Sequence, residues 1–217
     1  MRTRSTDVGR AEAASPGCAV TPAGVVDLRG GAGRAELRYP AGDLVIVSGL
    51  PGSGKSTLIR RAVPALDGRG EVVWCVDSQD SRERLECRTP HRLPYGAYRP
   101  VVRAVHYAAL RRALRSGASA VVHDCGERSW VRRWAVRAAR RRGGGVHLVV
   151  LDVPVGTALD GQRARGRGVS SRAFRRHRAA MTALLAEAAA GGLPHGMASA
   201  ALLDRAAVDT LRRVTFG

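Results

Sequence analysis

The nine residues Gly49-Leu50-Pro51-Gly52-Ser53-Gly54-Lys55-Ser56-Thr57 constrain the fold of this chain more than any other stretch. Glycines at 49, 52 and 54 let a backbone curl with its N–H groups facing inward, which makes a nest for an anion. A short β-branched run, Leu44 to Ser48, precedes them and reads as a buried strand. A helical pattern from Lys55 to about Val63 follows and stops at Pro64. The full match to G-x-x-x-x-G-K-[ST] between a strand and a helix is the phosphate-binding loop of nucleoside-triphosphate proteins. Gly49 through Thr57 are therefore the candidate nucleotide-binding residues, with Lys55 on the β- and γ-phosphates and the Ser56 hydroxyl on Mg²⁺. The dipole of the helix opening at Lys55 adds to the attraction.

Composition sharpens the role of Lys55. The chain carries 36 Lys+Arg against 18 Asp+Glu, and Lys55 is its single lysine. The loop requires a compact ammonium on a flexible stem, where a planar guanidinium does not fit. A net charge of +18 attracts phosphate polymers through a basic surface, although no recognised nucleic-acid-binding motif accompanies it. The bland reading is arginine on solvated helix faces.

Cys18, Cys75, Cys87 and Cys125 are widely and irregularly spaced, which argues for free thiols rather than a zinc site or disulfides. No apolar run is long enough to span a bilayer, and residues 1 to 15 lack the apolar stretch of a secretory leader. A cytoplasmic protein is expected.

Strand signals at 71–76, 118–123, 146–151 and 199–203 alternate with helical ones at 100–117, 129–142, 155–163, 171–190 and 206–213. Pro100 is placed at a helix N1 and Ser129 at an N-cap. This alternation predicts an α/β fold with a mostly parallel sheet and ligands at the strands' carboxyl ends. Residues 42–217 form the main domain. Residues 1–41 are an N-terminal extension, partly disordered, with a candidate hairpin of Val25–Leu28 and Ala35–Tyr39 around Gly30-Gly31.

The polar residues just past the strands are the site candidates. Asp77 and Asp80 are candidate bases for an acceptor hydroxyl, and Arg82 can hold a phosphoryl group bidentately. Asp124 reads as a carboxylate reaching Mg²⁺ through water or orienting Arg82, and Asp152 lies just past the fourth strand. The Gln162–Gly168 segment places Arg163 and Arg165 between glycines, which suits a lid at about 163–172 over the nucleotide.

Together these segments resemble the P-loop kinase-like family of ATP-binding proteins often described as AAA-type ATPases. That family includes the kinase domain of polynucleotide kinase and is related to zeta-toxin-type and antibiotic-phosphorylating kinases. The similar stretch runs from about Asp43 to Leu185. It includes the phosphate loop, Asp77 to Arg82, Val-Val-His-Asp at 121–124, Leu-Asp-Val-Pro at 151–154 and Arg-Ala-Arg-Gly at 163–166. The resemblance implies a three-layer P-loop fold whose five-stranded sheet has the order 2-3-1-4-5, and an arginine lid. It also implies transfer of the ATP γ-phosphoryl group to a hydroxyl on a small molecule or a nucleic-acid end. Such kinases carry Asp three residues before the basic residue. Counting back from Arg82, that position is Gln79, with Asp77 and Asp80 on either side. The alternative is a non-catalytic ATP-dependent switch or ATPase that binds a partner or nucleic acid.

Overall fold

The computed structural model describes residues 19–31, 36–77, 79–81, 95–124, 128–164, 166 and 168–217. The strands are β1 (Ala19–Val20), β2 (Gly24–Asp27), β3 (Glu36–Tyr39), β4 (Leu44–Gly49), β5 (Trp74–Val76), β6 (Ala120–Asp124), β7 (Val146–Leu151), β8 (Ser199–Leu203) and β9 (Arg213–Phe216). The helices are α1 (Lys55–Ala62), α2 (Tyr95–Ser116), α3 (Ser129–Arg140), α4 (Val155–Arg163), α5 (Ser171–Ala189) and α6 (Arg205–Thr210).

Every residue of β4, β7 and β8 is buried. These apolar strands lie inside an all-parallel sheet covered on both faces. Along β4, Leu44 and Ile46 face one core with α2, α3 and α5, while Val45 and Val47 face the other with α1, α6, β3 and β9. The main sheet has the order β2-β8-β7-β4-β6-β5. Its strands β5, β6, β4, β7 and β8 follow the expected 2-3-1-4-5 order, but the sheet has six strands, because β2 is added beside β8. A second parallel sheet, β1-β3-β9, lies outside that expectation.

The expected hairpin does not form. β2 pairs with β8, with Gly24 opposite Ser199 and Asp27 opposite Leu202, whereas β3 pairs with β9, with Leu37 opposite Val214 and Tyr39 opposite Phe216. Leu37 and Tyr39 are buried in the core on the α1 side, and a tight turn back onto β2 would pull them out of it. The partly disordered segment expected at the N-terminus lies mainly outside the described residues.

Three local readings also change. Helix α2 begins at Tyr95, so Pro100 lies inside it at the expense of one intrahelical bond. Ser129 is helical rather than capping, and its Oγ accepts from Arg133 Nη1 at 3.0 Å. The last helical pattern ends at Thr210 and the chain then extends as β9.

The amino ends of the central strands are tied by a buried polar chain. Asp43 Oδ2 meets His147 Nε2 at 2.9 Å, and His147 Nδ1 meets Ser199 Oγ at 2.8 Å. Asp43 Oδ1 accepts from the Gly145 N–H at 2.6 Å. Burial opposes ionisation of Asp43, but the His147 and Gly145 bonds prevail and lower its pKa. The chain has the residue types of a hydrolytic triad, yet all three side chains are closed off from solvent, so it serves the fold. Among the described residues no helix is long and apolar enough to cross a membrane.

Candidate functional site

The phosphate loop leaves the carboxyl end of β4, where Gly49 lies opposite Leu151 of β7. Gly52 and Gly54 have φ of 90° and 93°, the left-handed region that costs other residues about 1–2 kcal/mol. Gly54 caps α1 without any side-chain bond, and no acidic residue occupies the first turn. The helix therefore turns its N-terminal end, with its positive dipole, toward an anion. Lys55 is buried, and its Nζ donates to Gly49 O and Leu50 O at 2.7 Å each and to Ser53 Oγ at 3.5 Å. The ammonium is thus held at the loop's own concavity.

Helix α4 presses against this loop. A Cβ on Gly52 would lie 2.0 Å from Ala158 O, and a Cβ on Gly161 would lie 2.4 Å from Gly52 O. Gln162, itself buried, donates from Nε2 to Pro51 O at 3.1 Å and accepts from the Val169 N–H at 3.0 Å through Oε1. One amide side chain thus joins the phosphate loop to both arms of the arginine segment.

On the other side of β4 stands a carboxylate cluster. Asp77, directly after β5, is buried, and its Oδ1 lies 2.6 Å from His123 Nδ1 and accepts from the Gln79 N–H at 2.9 Å. Burial pushes the Asp77 pKa upward. The bond and charge of His123, the Ser56 hydroxyl and the Gln79 N–H together outweigh it and hold the carboxyl far below its ordinary range. Asp124 ends β6 opposite Ser48. Its Oδ2 accepts from Arg132 Nη1 at 3.1 Å and from Ser48 Oγ at 3.3 Å. His106 of α2 faces the same cluster; burial first, then the charge of His123, lower its pKa against the pull of Asp77 and Asp124.

The structure therefore brings together the whole loop from Gly49 to Thr57 with Asp77, and it places Asp124 one strand away, engaged by Arg132. Asp80 is half-buried within the helical residues 79–81. Asp152 is paired with Arg29 at 2.7 Å, which ties the added strand β2 to the functional end of the sheet. Arg163 is exposed and paired with Asp160 at 2.8 Å. Arg82 and Arg165 lie outside the described residues. A pocket of about 180 Å³ opens beside Leu50, between the exit of β7 and α5, with Asp152, Arg178 and Thr182 in its lining. Sequence reasoning missed the roles of Gln162, Arg132 and His106. Each acts through a partner at least eight residues away, and no local pattern marks such pairings.

Among the described residues no group of three or more His, Cys, Asp or Glu can hold a metal ion. The available donor set beside the loop is the Ser56 hydroxyl and the Asp77 carboxylate. Such a sparse oxygen set fits Mg²⁺, which keeps several waters and takes its other ligands from phosphate.

No curated protein matches the chain. The PezAT chromosomal toxin–antitoxin system of Streptococcus pneumoniae is similar at 12% identity, with a TM-score of 0.43, over 59% of this chain and 53% of that one. The chain thus spans about half the length of that pneumococcal chain. The tunicamycin resistance protein of Deinococcus radiodurans is similar at 17% identity, TM-score 0.39, over 70% of this chain and 89% of that one. A candidate kinase from Chloroflexus aurantiacus is similar at 15% identity, TM-score 0.46, over 76% and 85%. The family model described as AAA domain matches residues 44–190. That span covers more than half of the sequence, from the first residue of β4 to the end of α5, and this P-loop nucleotide-binding chain belongs to the AAA domain family.

Proposed function

We propose that the protein is an ATP-dependent kinase that transfers the γ-phosphoryl group to a hydroxyl acceptor. The observation that carries this reading is the placement of an ionised, buried Asp77 against Ser56 of the phosphate loop, with a second carboxylate, Asp80, three residues further on. The two carboxylates suit different tasks. A carboxyl held far below its ordinary range is a poor proton acceptor and a good metal-side group. Asp77 therefore joins Ser56 as a Mg²⁺ ligand, directly or through water, and Asp80 is the base.

Mg²⁺, when bound, neutralises charge on the phosphate oxygens. The loop N–H groups and Lys55 hold the β- and γ-phosphates, which requires the Lys55 ammonium to leave the carbonyls of Gly49 and Leu50. Asp80 takes the proton from the acceptor hydroxyl as its oxygen bonds to the γ-phosphorus. The bond from that phosphorus to the β–γ bridging oxygen breaks, and ADP leaves. Arg82, Arg163 and Arg165 are the candidates for charge on the transferring group, with Arg163 exchanging Asp160 for phosphate.

The test is transfer from γ-labelled ATP with Mg²⁺ to a pool of small metabolites and a 5′-hydroxyl oligonucleotide, with Lys55→Ala as control. Asp80→Asn is expected to abolish transfer and spare nucleotide binding, and Asp77→Asn to weaken the Mg²⁺ dependence of binding. Transfer retained in the double variant would sink the assignment. Gln79, at the position where similar kinases carry Asp, favours a second reading as an ATP-dependent switch. Slow hydrolysis without any labelled acceptor, plus nucleotide-dependent partner binding, would support that reading.

A further inference from the structure

Helices α2 and α3 pack side by side on one face of the main sheet and leave a groove of about 540 Å³ on their outer surface. Its lining is Tyr107, Ala108 and Arg111 from α2, and Trp130, Trp134 and Arg137 from α3. The chain has only three tryptophans and four tyrosines, so gathering two tryptophans and a tyrosine in one groove is a marked concentration. Trp130 is 45% exposed, although burial of an indole of that size is strongly favourable. The Tyr107 and Trp130 rings lie 5.3 Å apart between centroids at 56°. They form a tilted aromatic pair open to solvent on one side.

The charge around these rings has one sign. Helix α2 contributes five arginines to the sequence and α3 four, and neither contains a single Asp or Glu. Arg111 and Arg137 are exposed, and neither guanidinium has a carboxylate partner among the described residues. Arginines that served only as a solvated face would be expected to alternate with acids. Asp124, the carboxylate that bonds α3, is taken by Arg132.

From this we infer that the α2–α3 groove binds single-stranded nucleic acid, with unpaired bases stacked on Trp130, Trp134 and Tyr107 and phosphates on Arg111 and Arg137. Aromatic faces with interleaved arginines accept any unpaired base, and an intact duplex keeps its base faces stacked away from them. An acidic protein partner would use the guanidinium groups without needing open ring faces. Trp130 lies in the first turn of α3, at the carboxyl end of β6, so a strand in the groove runs toward Asp124 and the phosphate loop. The inference does not rest on phosphoryl transfer, because the groove is complete without the nucleotide.

The experiment is fluorescence anisotropy with a labelled oligothymidylate of about 12 nucleotides, without ATP. A duplex of the same length and inorganic polyphosphate serve as competitors. The single strand should compete far better than the duplex, and its binding should quench tryptophan emission. Trp130→Ala should weaken oligothymidylate binding about 5- to 140-fold, the range for losing one base stack, and leave polyphosphate binding unchanged. Trp134→Phe, which keeps a ring, should lose less. Arg111→Ala with Arg137→Ala should reduce the slope of log affinity against log salt by about 1.4, roughly 0.7 for each phosphate no longer neutralised. Thermal melting of each variant guards against a folding defect, and Trp130 is exposed enough for its removal to be tolerated. Equal oligothymidylate affinity in wild type and Trp130→Ala would overturn the inference. So would a parallel loss for polyphosphate, or equal competition by duplex, since either would reduce the groove to unspecific charge. A chain that fails to transfer phosphate yet passes this test would lose only the kinase reading.

Discussion

Gly161 offers a clean separation of helix propensity from packing on the phosphate loop. It lies inside α4, where alanine is intrinsically better than glycine by about 0.5–1 kcal/mol. Gly156 lies in the same helix, and a Cβ there meets nothing within 4 Å. Gly156→Ala is therefore expected to stabilise the protein by that amount, which is a rise in Tm of about 1–4 °C for a chain of this size. At Gly161 the added Cβ would lie 2.4 Å from Gly52 O, and the atom it meets is backbone, which cannot swing aside. Overpacking of this kind typically costs about 1–3 kcal/mol, so the propensity gain is cancelled or reversed. The strain has one outlet, which is to push α4 away from the loop. That shift also disturbs the Gln162 bond to Pro51 O. Gly161→Ala is accordingly expected to lower nucleotide affinity by about tenfold, a loss of about 1.4 kcal/mol, while Gly156→Ala leaves it unchanged. Calorimetric titration with ATP and Mg²⁺, together with thermal melting of both variants, measures both quantities. If the two substitutions behave alike, α4 does not hold the loop in the way this close approach implies.

Three further outcomes are expected. Because Lys55 is the only lysine, an amine-acylating reagent should modify a single side chain, detected by peptide mass, with loss of nucleotide binding and protection by MgATP; full modification with binding intact would remove Lys55 from the phosphate site. Asp43→Ala or His147→Ala should cost about 3–5 kcal/mol in urea unfolding, the range for breaking a buried pair. Either should leave the ATP dissociation constant unchanged, since the network lies about 17 Å along the strands from the loop, and a shift in that constant would show that the two ends communicate. His106 is held below its ordinary value of 6.5, so the folded state binds fewer protons than the unfolded one. The contribution is complete above pH 6.5 and falls away as pH drops below it. Asp77, lowered from 3.8, keeps its own contribution throughout that window, whereas His195 shares the direction of His106. Urea midpoints at pH 7.5 and 5.5 should therefore converge in part in His106→Phe, and an unchanged gap would refute the assignment.

What the sequence made legible follows from how local each signal is. The phosphate loop carries its own backbone demands, so Gly52 and Gly54 announce their left-handed conformation without any partner. The bounds of β7, β8 and α4 match those read from the sequence, because β7 and β8 are short apolar runs, β7 directly after Gly145, and α4 opens directly after Pro154. β9 is different. Four residues with alternating burial continue a helical pattern without a break, and their partner β3 lies more than 170 residues earlier. For β2, the alternation shows which side chains share a face but not which sheet edge they join. Asp77 was visible as a strand-end carboxylate. Its bond to His123 was not, because that pairing exists only once β5 and β6 lie side by side.

The second sheet also determines how the molecule bears load. β3 and β9 run parallel as neighbours, and the Gly217 N–H adds a further bond to Tyr39 O at 3.0 Å. A pull applied through residue 36, where β3 begins, and residue 217, just past β9, would draw these two strands past each other along their length. Their evenly spaced interstrand bonds would share the force and fail together, where a hairpin would open one bond at a time. The arrangement that replaced the expected hairpin thus makes this corner a mechanical clamp, which single-molecule extension would register as one high-force event preceding the loss of the nucleotide site.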